Sequence, residues 1–160
     1  YKKLYGVINV TPGYSGGSLR NPTYKEVCTG NTGHAESIKI DYDPEQISFK
    51  VLVEIFFSTH DPTTLNRQGN DVGTHYRSAI FFNNLNEKNI AQAYIQKLQN
   101  DTYKSTKIVT ELKEFEIFYE AEDYHKNYFE LNKVQPYCHI VISPKVEKFK
   151  KTYKERLKKD

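Results

Sequence analysis

Short runs with the two-residue periodicity of strands alternate along the chain with longer runs that have helical spacing. Strands are predicted at residues 5–10, 35–42, 76–82, 108–112 and 138–142. Helices are predicted at residues 22–28, 48–59, 87–98, 120–131 and 145–160. No internal repeat or low-complexity linker interrupts this order, so the pattern indicates one domain over residues 1–160 with an α/β or α+β sandwich architecture.

Turn-forming and capping residues set the predicted ends of several segments. The first strand is predicted to end at Pro12-Gly13, because this pair favours a turn. Ser48 is placed to cap the second helix, and Pro62 follows the predicted end of that helix.

One carboxyl group occupies an unusual position in the strand predicted at residues 35–42. The alternation puts Glu36 on the same face as Ile38, Ile40 and Tyr42. Desolvation on an apolar face raises the pKa of a carboxyl group and suits it to general acid catalysis. The alternative is that Glu36, at the end of its strand, reaches water and stays an ordinary surface carboxylate.

The composition is that of a globular protein, with 38% hydrophobic, 14% aromatic and 27% charged residues. No run approaches the roughly 18 apolar residues that a membrane span requires, so no membrane association is predicted. The two cysteines are far apart and form no CxxC pair, which argues against a disulfide scaffold and a structural zinc site. A reducing, cytoplasmic setting is the prediction.

The net charge of +3 comes from the C-terminal segment, where residues 145–160 hold eight Lys or Arg against three Asp or Glu. Val146, Phe149, Tyr153 and Leu157 recur there with helical spacing, which predicts an amphipathic helix packed on the body. The favoured interpretation of the lysines is a solvated face. The alternative is contact with a nucleic acid or a membrane.

The neighbouring residues His34 and Glu36 resemble half of the zinc deaminase motif, in which a histidine binds metal and a glutamate moves protons. That motif also needs a Pro-Cys-x-x-Cys pair, and neither Cys28 nor Cys138 belongs to one. No metal site is therefore predicted. Cys28, near the end of its short helix, is expected to be buried and inert.

Several tyrosines lie in turns rather than at periodic core positions, namely Tyr14, Tyr24, Tyr76 and Tyr137. Each one alone is typical of half-buried packing, with the hydroxyl in water. If several converged on a pocket, they would supply neutral hydrogen-bond donors for an uncharged polar oxygen.

Five segments carry a resemblance to a known family: GYSGG, NPTYKEVCTGNTGHAE, FFSTHDPTTLNRQGNDVGTHYRSAIFF, FYEAEDYH and PYCHIVISPK. Over nearly its whole length the chain resembles peptide methionine sulfoxide reductase A, which reduces the S epimer of methionine sulfoxide. The resemblance implies thiol-dependent reduction of free and protein-bound methionine S-sulfoxide. It also implies an α+β fold, a two-layer α/β sandwich around a mixed, largely antiparallel sheet with a ferredoxin-like core.

The resemblance assigns roles to residues as well. Glu36 matches the acid that protonates the sulfoxide oxygen while a cysteine thiolate attacks the sulfur. The substrate-binding positions are matched by Tyr24, Asp71, Tyr76, Tyr128 and Tyr137. Cys138 matches the resolving cysteine of some members, which condenses with the resulting sulfenic acid to form a disulfide.

The nucleophile of the family lies in a Gly-Cys-Phe-Trp motif, and the sequence contains no tryptophan. By spacing, this motif is expected shortly upstream of Tyr1, so the domain is predicted to be N-terminally truncated in these 160 residues. A polypeptide of these residues alone is predicted to be inactive. The alternative to a working reductase is a truncated form or pseudoenzyme that at most binds methionine sulfoxide.

The resemblance also implies the partners. No bound cofactor is expected, and thioredoxin or another thiol reductant is the expected electron donor. The expected substrates are oxidised proteins and free methionine sulfoxide, handled by a monomer in the cytoplasm without nucleic acid.

Overall fold

The computed structural model describes residues 1–159, and its longest strand pair is formed by β1 (Val7–Ser15) and β2 (Ala35–Tyr42). These strands run antiparallel from the pair Val7 and Tyr42 to the pair Ser15 and Ala35. The short strand β7 (Phe118–Glu120) lies antiparallel on the other side of β1, so the strand order is β2-β1-β7.

The predicted end of β1 at Pro12-Gly13 is wrong, because the strand continues to Ser15. Pro12 lies just beyond the ladder with β7, where its carbonyl accepts a hydrogen bond from the N–H of Ala121 at 2.9 Å. The missing N–H of proline therefore costs no ladder bond there. At Gly13 a Cβ atom would lie 2.3 Å from the ring of Phe118, so the glycine allows β7 to approach closely.

Two smaller sheets complete the described strands. The strands β5 (Ala79–Phe82) and β6 (Glu111–Glu114) are parallel and are connected through α3 (Leu85–Asp101). A two-stranded antiparallel sheet is formed by β3 (Arg67–Gln68) and β4 (Asp71–Val72). Helices together with antiparallel and parallel strands confirm the predicted α+β class.

Helix α2 (Phe49–Thr59) connects two parts of the core. Its N-cap is Ser48, whose hydroxyl accepts a hydrogen bond from the N–H of Val51, as predicted. Leu52 and Ile55 belong to one buried cluster, whereas Val53 and Phe57 belong to a second cluster against α3. Seven of the eleven residues of α2 are apolar, so the helix packs on two sides rather than through one face.

Three segments between residues 76 and 131 differ from the sequence predictions. Residues 120–131 form no continuous helix, because Asn127 adopts a left-handed φ of 55° between a 3₁₀ turn at Asp123–His125 and α4 (Tyr128–Leu131). The strand predicted at residues 76–82 begins only at Ala79, after a 3₁₀ turn. The strand predicted at 108–112 is displaced to β6, where the parallel pairing with β5 begins opposite Ala79.

The strand predicted at residues 138–142 is wrong as well. Cys138–Ile142 forms a π-helical turn that continues into α5 (Ser143–Thr152). The N–H and hydroxyl of Ser143 both bond the carbonyl of Cys138, so this segment satisfies its backbone locally instead of pairing in a sheet.

The C-terminal segment packs on the body through its aromatic residues. Phe149 and Tyr153 contact the cluster that contains Leu4 and Ile55, as the amphipathic pattern predicted, but the helix predicted at residues 145–160 ends at Thr152. Leu4 and Leu157 form a β-bridge, which joins the two ends of the chain. Among the described residues, no helix is both long and apolar enough to cross a membrane.

The short helix α1 (Tyr24–Cys28) lies over one face of the three-stranded sheet. Its buried residue Val27 packs in a cluster with Tyr14 and Ala121. Tyr14 is directly opposite Glu36 in the β1–β2 ladder, so their side chains point to the same face. This packing places α1 beside Glu36 at the end of β2.

Candidate active site

Tyr24 and Cys28 are four residues apart, so they lie on the same side of α1. This side faces Glu36. Thr23 and Glu26 form a capping box that begins this helix: the Thr23 hydroxyl accepts from the N–H of Glu26, whose carboxylate accepts from the N–H of Thr23. The start of the helix, and with it Tyr24, is therefore fixed by local sequence.

Glu122 fixes the position of Tyr24 from the opposite side. One carboxylate oxygen accepts the N–H of Tyr24 at 2.7 Å, and the other accepts the hydroxyl of Tyr14 at 2.7 Å. The ring of Tyr24 contacts His125 edge-on, with 4.7 Å between the ring centroids. Partial desolvation opposes the charged form of Glu122, but the hydrogen bonds from Tyr24 and Tyr14 lower its pKa.

Replacing Glu122 by glutamine is expected to lower the free energy of unfolding by about 1–3 kcal/mol, because one of the two donors loses its acceptor. A lowered folded-state pKa stabilises the protein above the ordinary carboxyl pKa, and this stability is lost as the pH falls through the folded pKa. The difference in free energy of unfolding between wild type and Glu122→Gln, measured by urea unfolding, should thus be greatest at neutral pH and shrink in acid.

The matched control for Glu122 is Glu116→Gln, which changes an exposed carboxyl group of the same region. This control should alter stability little at any pH. An equal loss of stability in both variants would contradict the anchoring role of Glu122.

A third segment, residues 69–77, closes the other side of the site. Thr74 donates its hydroxyl to the carbonyl of Gly30 at 3.2 Å, and Arg77 donates to the carbonyl of Gly33 at 2.9 Å. Arg77 also pairs with Glu111 of β6 at 2.8 Å. These contacts join the loop before β2 to the segment that carries Asp71, His75 and Tyr76.

Gly73 is required for the position of His75. Its φ of 151° lies in the region that side chains disfavour, and a Cβ atom there would be 2.5 Å from Cε1 of the imidazole. The ring of His75 also stacks on Tyr76 at a centroid distance of 4.1 Å, and the residue is only 5% exposed. Its Nδ1 is buried and has no hydrogen-bond partner among the described residues.

Three side chains from the three segments converge at the centre. Cys28 Sγ, a carboxylate oxygen of Glu36 and a ring nitrogen of His75 all lie within 4.8 Å of one another. Glu36 is reached by solvent, yet its neighbours desolvate the carboxyl group, and this, together with the charge of Asp71, raises its pKa. Glu36 thus combines the solvent contact expected of a surface carboxylate with the raised pKa expected of a desolvated acid.

The tyrosines around Glu36 are held in the neutral form. The pKa of Tyr24 is raised, first by its hydrogen bond with Cys28 and then by desolvation. Desolvation, followed by the charges of Glu36 and Asp71, raises the pKa of Tyr76 to about 12. Both hydroxyls therefore remain protonated donors at neutral pH, which suits them to binding an uncharged oxygen.

Two further predicted residues lie on the C-terminal side of the site. Tyr137 donates its hydroxyl to Asp71 at 3.5 Å, and desolvation together with Asp71 raises the pKa of Tyr137. Cys138 follows it directly and is fully buried. Tyr128 is 39% exposed and, within residues 1–159, makes no described polar or ring contact with Glu36.

The expectation that Cys28 is buried was wrong, because its thiol is exposed at the end of α1. Only Val27 of that helix faces the core, and a helix of five residues has room for few buried positions. His34, by contrast, is buried as part of the framework. Its Nδ1 accepts the N–H of Gly17 at 3.0 Å and its Nε2 donates to the carbonyl of Leu19 at 2.7 Å, so neither nitrogen is available to a metal.

Known proteins match this chain over nearly its full length. A model of the family described as peptide methionine sulfoxide reductase matches residues 1–157. The chain belongs to this family. The peptide methionine sulfoxide reductase MsrA of Saccharolobus solfataricus is 54% identical over 158 residues, which are 99% of this chain and 88% of the relative. The protein of the same name from Picrophilus torridus is 54% identical over 96% of this chain and 86% of its own.

Solved structures of the family share the fold. Mxr1 from Saccharomyces cerevisiae in reduced form matches with a TM-score of 0.75 at 34% identity, covering 83% of this chain and 76% of its own. The methionine sulfoxide reductase A of Corynebacterium diphtheriae matches with a TM-score of 0.70 at 39% identity, covering 81% of this chain and 66% of its own.

His75 and Glu122 were missed by the sequence analysis. His75 directly precedes the predicted site residue Tyr76 in the polar segment GTHYRS, and this adjacency could have indicated that His75 lies near the site. Glu122 lies in a segment that was predicted to be helical, and no local pattern indicates that it reaches back to Tyr14 and Tyr24.

Proposed function

We propose that this member of the family reduces methionine S-sulfoxide, free and in proteins, with Glu36 as the acid. Tyr24 and Tyr76 bind the sulfoxide oxygen. The observation that carries the proposal is a carboxyl group of raised pKa beside two tyrosines that stay neutral. A sulfoxide is uncharged and strongly polarised, so its oxygen needs donors and a proton rather than a cation.

The reaction transfers oxygen from the substrate to a cysteine. A thiolate attacks the sulfur, Glu36 gives its proton to the oxygen, and the products are methionine and a cysteine sulfenic acid. Neutral tyrosine hydroxyls stabilise the negative charge that develops on the oxygen in the transition state. The raised pKa of Glu36 keeps the proton available for this transfer.

The remaining predicted site residues complete the substrate site in this proposal. Asp71 orients Tyr137 through their hydrogen bond and increases the negative potential near Glu36. Tyr128 is assigned to the rim of the substrate site by the family resemblance and by its partial exposure.

Recycling requires a second thiol and a reductant. Cys138 condenses with the sulfenic acid, releases water and leaves a disulfide, which thioredoxin or another thiol donor reduces. We further propose that the protein acts as a monomer in the cytoplasm on oxidised proteins and free methionine sulfoxide, without a bound cofactor, nucleic acid or membrane. The sheets and helices would form a two-layer α/β sandwich with a ferredoxin-like core.

Residues 1–160 contain no Gly-Cys-Phe-Trp motif, which carries the nucleophile in the resembled family, and we propose that such a segment supplies the thiolate. Two alternatives remain for residues 1–160 alone. In the first, these residues form an inactive binder of methionine sulfoxide. In the second, Cys28 attacks the substrate itself, since this exposed residue lies beside Glu36.

The test compares the 160-residue chain with an extended protein that carries a Gly-Cys-Phe-Trp segment before Tyr1. The substrates are the separate S and R epimers of a methionine sulfoxide peptide. The extended protein should reduce the S epimer only, and the 160-residue chain should bind it without turnover. If the extended protein leaves both epimers unreduced, the proposed function is wrong. Activity of the short chain that Cys28→Ser removes would identify Cys28 as the nucleophile.

A further inference from the structure

We propose that Cys28, Glu36 and His75 form a binding site for a zinc ion. The three side chains come from α1, β2 and the segment after β4, and their ligand atoms lie within 4.8 Å of one another. A thiolate, a carboxylate and an imidazole are ligand types that zinc accepts, and three protein ligands with one water is a common coordination.

The distances allow closure around a metal with small movements. Zinc bonds of about 2.0–2.3 Å place tetrahedral ligand atoms roughly 3.3–3.6 Å apart, so separations of up to 4.8 Å must contract by up to about 1.5 Å. Cys28 and Glu36 are exposed and can rotate toward the ion. His75 is held in place between Gly73 and Tyr76, so it provides the fixed ligand.

The state of His75 gives an independent argument for a ligand. The residue is only 5% exposed, and its Nδ1 is buried without a hydrogen-bond partner in the described part of the chain. A buried ring nitrogen without a partner is unusual, because it loses its hydrogen bond to water without replacing it. His34, which belongs to the framework, instead bonds the backbone through both ring nitrogens.

The local charge also favours a cation. Asp71 is close enough to Glu36 to act on it electrostatically, and it acts on His75 as well. A divalent ion at the cluster would offset the charges of Glu36 and of a Cys28 thiolate, with Asp71 as a further anion nearby. Magnesium and calcium prefer sites made of oxygen ligands, so this donor set selects against them.

The site uses Glu36, the acid of the proposed reaction, so zinc and the sulfoxide would exclude each other. Metal binding itself does not depend on the proposed function, because it requires only the three side chains. Binding and reduction are therefore measured separately.

The binding test is calorimetry of the untagged, reduced 160-residue chain with Zn²⁺, and with Mg²⁺ as the negative control. One zinc ion should bind, and Cys28→Ser, Glu36→Gln and His75→Gln should each weaken it by more than about tenfold, the loss that even outer-shell changes produce. Co²⁺ should give tetrahedral absorption bands with a thiolate charge-transfer band that Cys28→Ser removes.

Matched controls are Cys138→Ser and His139→Gln, which change a thiol and an exposed imidazole outside the cluster. Both should leave zinc affinity unchanged. Absence of saturable binding, or equal affinity in the cluster variants and the controls, would overturn the proposal. If zinc binds but a sulfoxide peptide does not compete with it, the metal site stands and the position of the substrate oxygen at Glu36 is wrong.

Discussion

Replacing Glu36 by glutamine in the extended protein is expected to slow sulfoxide reduction by about 10²- to 10⁴-fold, the usual contribution of general acid catalysis. Glutamine has nearly the same size and can still donate a hydrogen bond to the substrate oxygen. It has no proton to transfer, however, so the oxygen must leave the sulfur with its negative charge unrelieved. Stability should change little, because Glu36 is exposed and no described hydrogen bond of the fold uses its carboxyl group.

Single-turnover measurements with the S epimer isolate this step from recycling, and the appearance of methionine is the signal. Glu114→Gln, on the exposed end of β6, is the matched control and should retain the wild-type rate. Peptide binding should be retained in both variants, because Tyr24 and Tyr76 remain. A Glu36→Gln rate within a factor of two of wild type would remove Glu36 from the role of acid.

The predicted site depended on features that are local in the sequence. The bounds of β2 were predicted correctly at residues 35–42, because alternation and the following Asp43-Pro44 mark them. The capping box at Thr23 and Glu26 begins α1 at Tyr24, two residues after the start predicted from Pro22. These two elements fix Tyr24 and Glu36, so much of the cluster was accessible before the fold was known.

The features that were missed depend on contacts distant in the sequence. Glu122 is 98 residues from Tyr24 and 108 residues from Tyr14, and no periodic pattern reports a bond over such distances. The burial of His75 arises because Gly73 leaves room for its ring, not from an apolar pattern. The π-helical turn at Cys138–Ile142 is rich in β-branched residues, as strands are, but it satisfies its backbone locally.

The surroundings of Cys138 bear directly on its proposed role. It is fully buried, whereas Tyr137 beside it is 50% exposed and bonds Asp71 of the site at 3.5 Å. The segment is thus positioned next to the cluster, but its thiol is turned away from solvent. For Cys138 to condense with a sulfenic acid, its buried thiol must come into contact with that group. π-helical turns occur frequently at functional sites, and this one directly precedes α5.

Replacing Cys138 by serine in the extended protein should leave the first reduction step nearly unchanged and abolish most thioredoxin-driven turnover. Serine keeps the size of the side chain but cannot form the disulfide that thioredoxin reduces. The measurement is the burst of methionine per enzyme molecule, compared with the steady rate of NADPH-coupled turnover. His139→Gln, an exposed substitution beside Cys138 that keeps both thiols, is the control, and it should retain both the burst and the steady rate.

Comparing Cys138→Ser with Cys138→Ala separates a redox role of Cys138 from a structural one. A fully buried cysteine packs like a small apolar residue, so its replacement by serine can loosen the turn before α5. Cys138→Ala keeps an apolar side chain there and should show the same loss of recycling with less loss of stability. Equal losses in the burst and the steady rate for both variants would indicate a structural role. Unchanged turnover would assign resolution of the sulfenic acid to another thiol, because the chemistry of disulfide formation requires one.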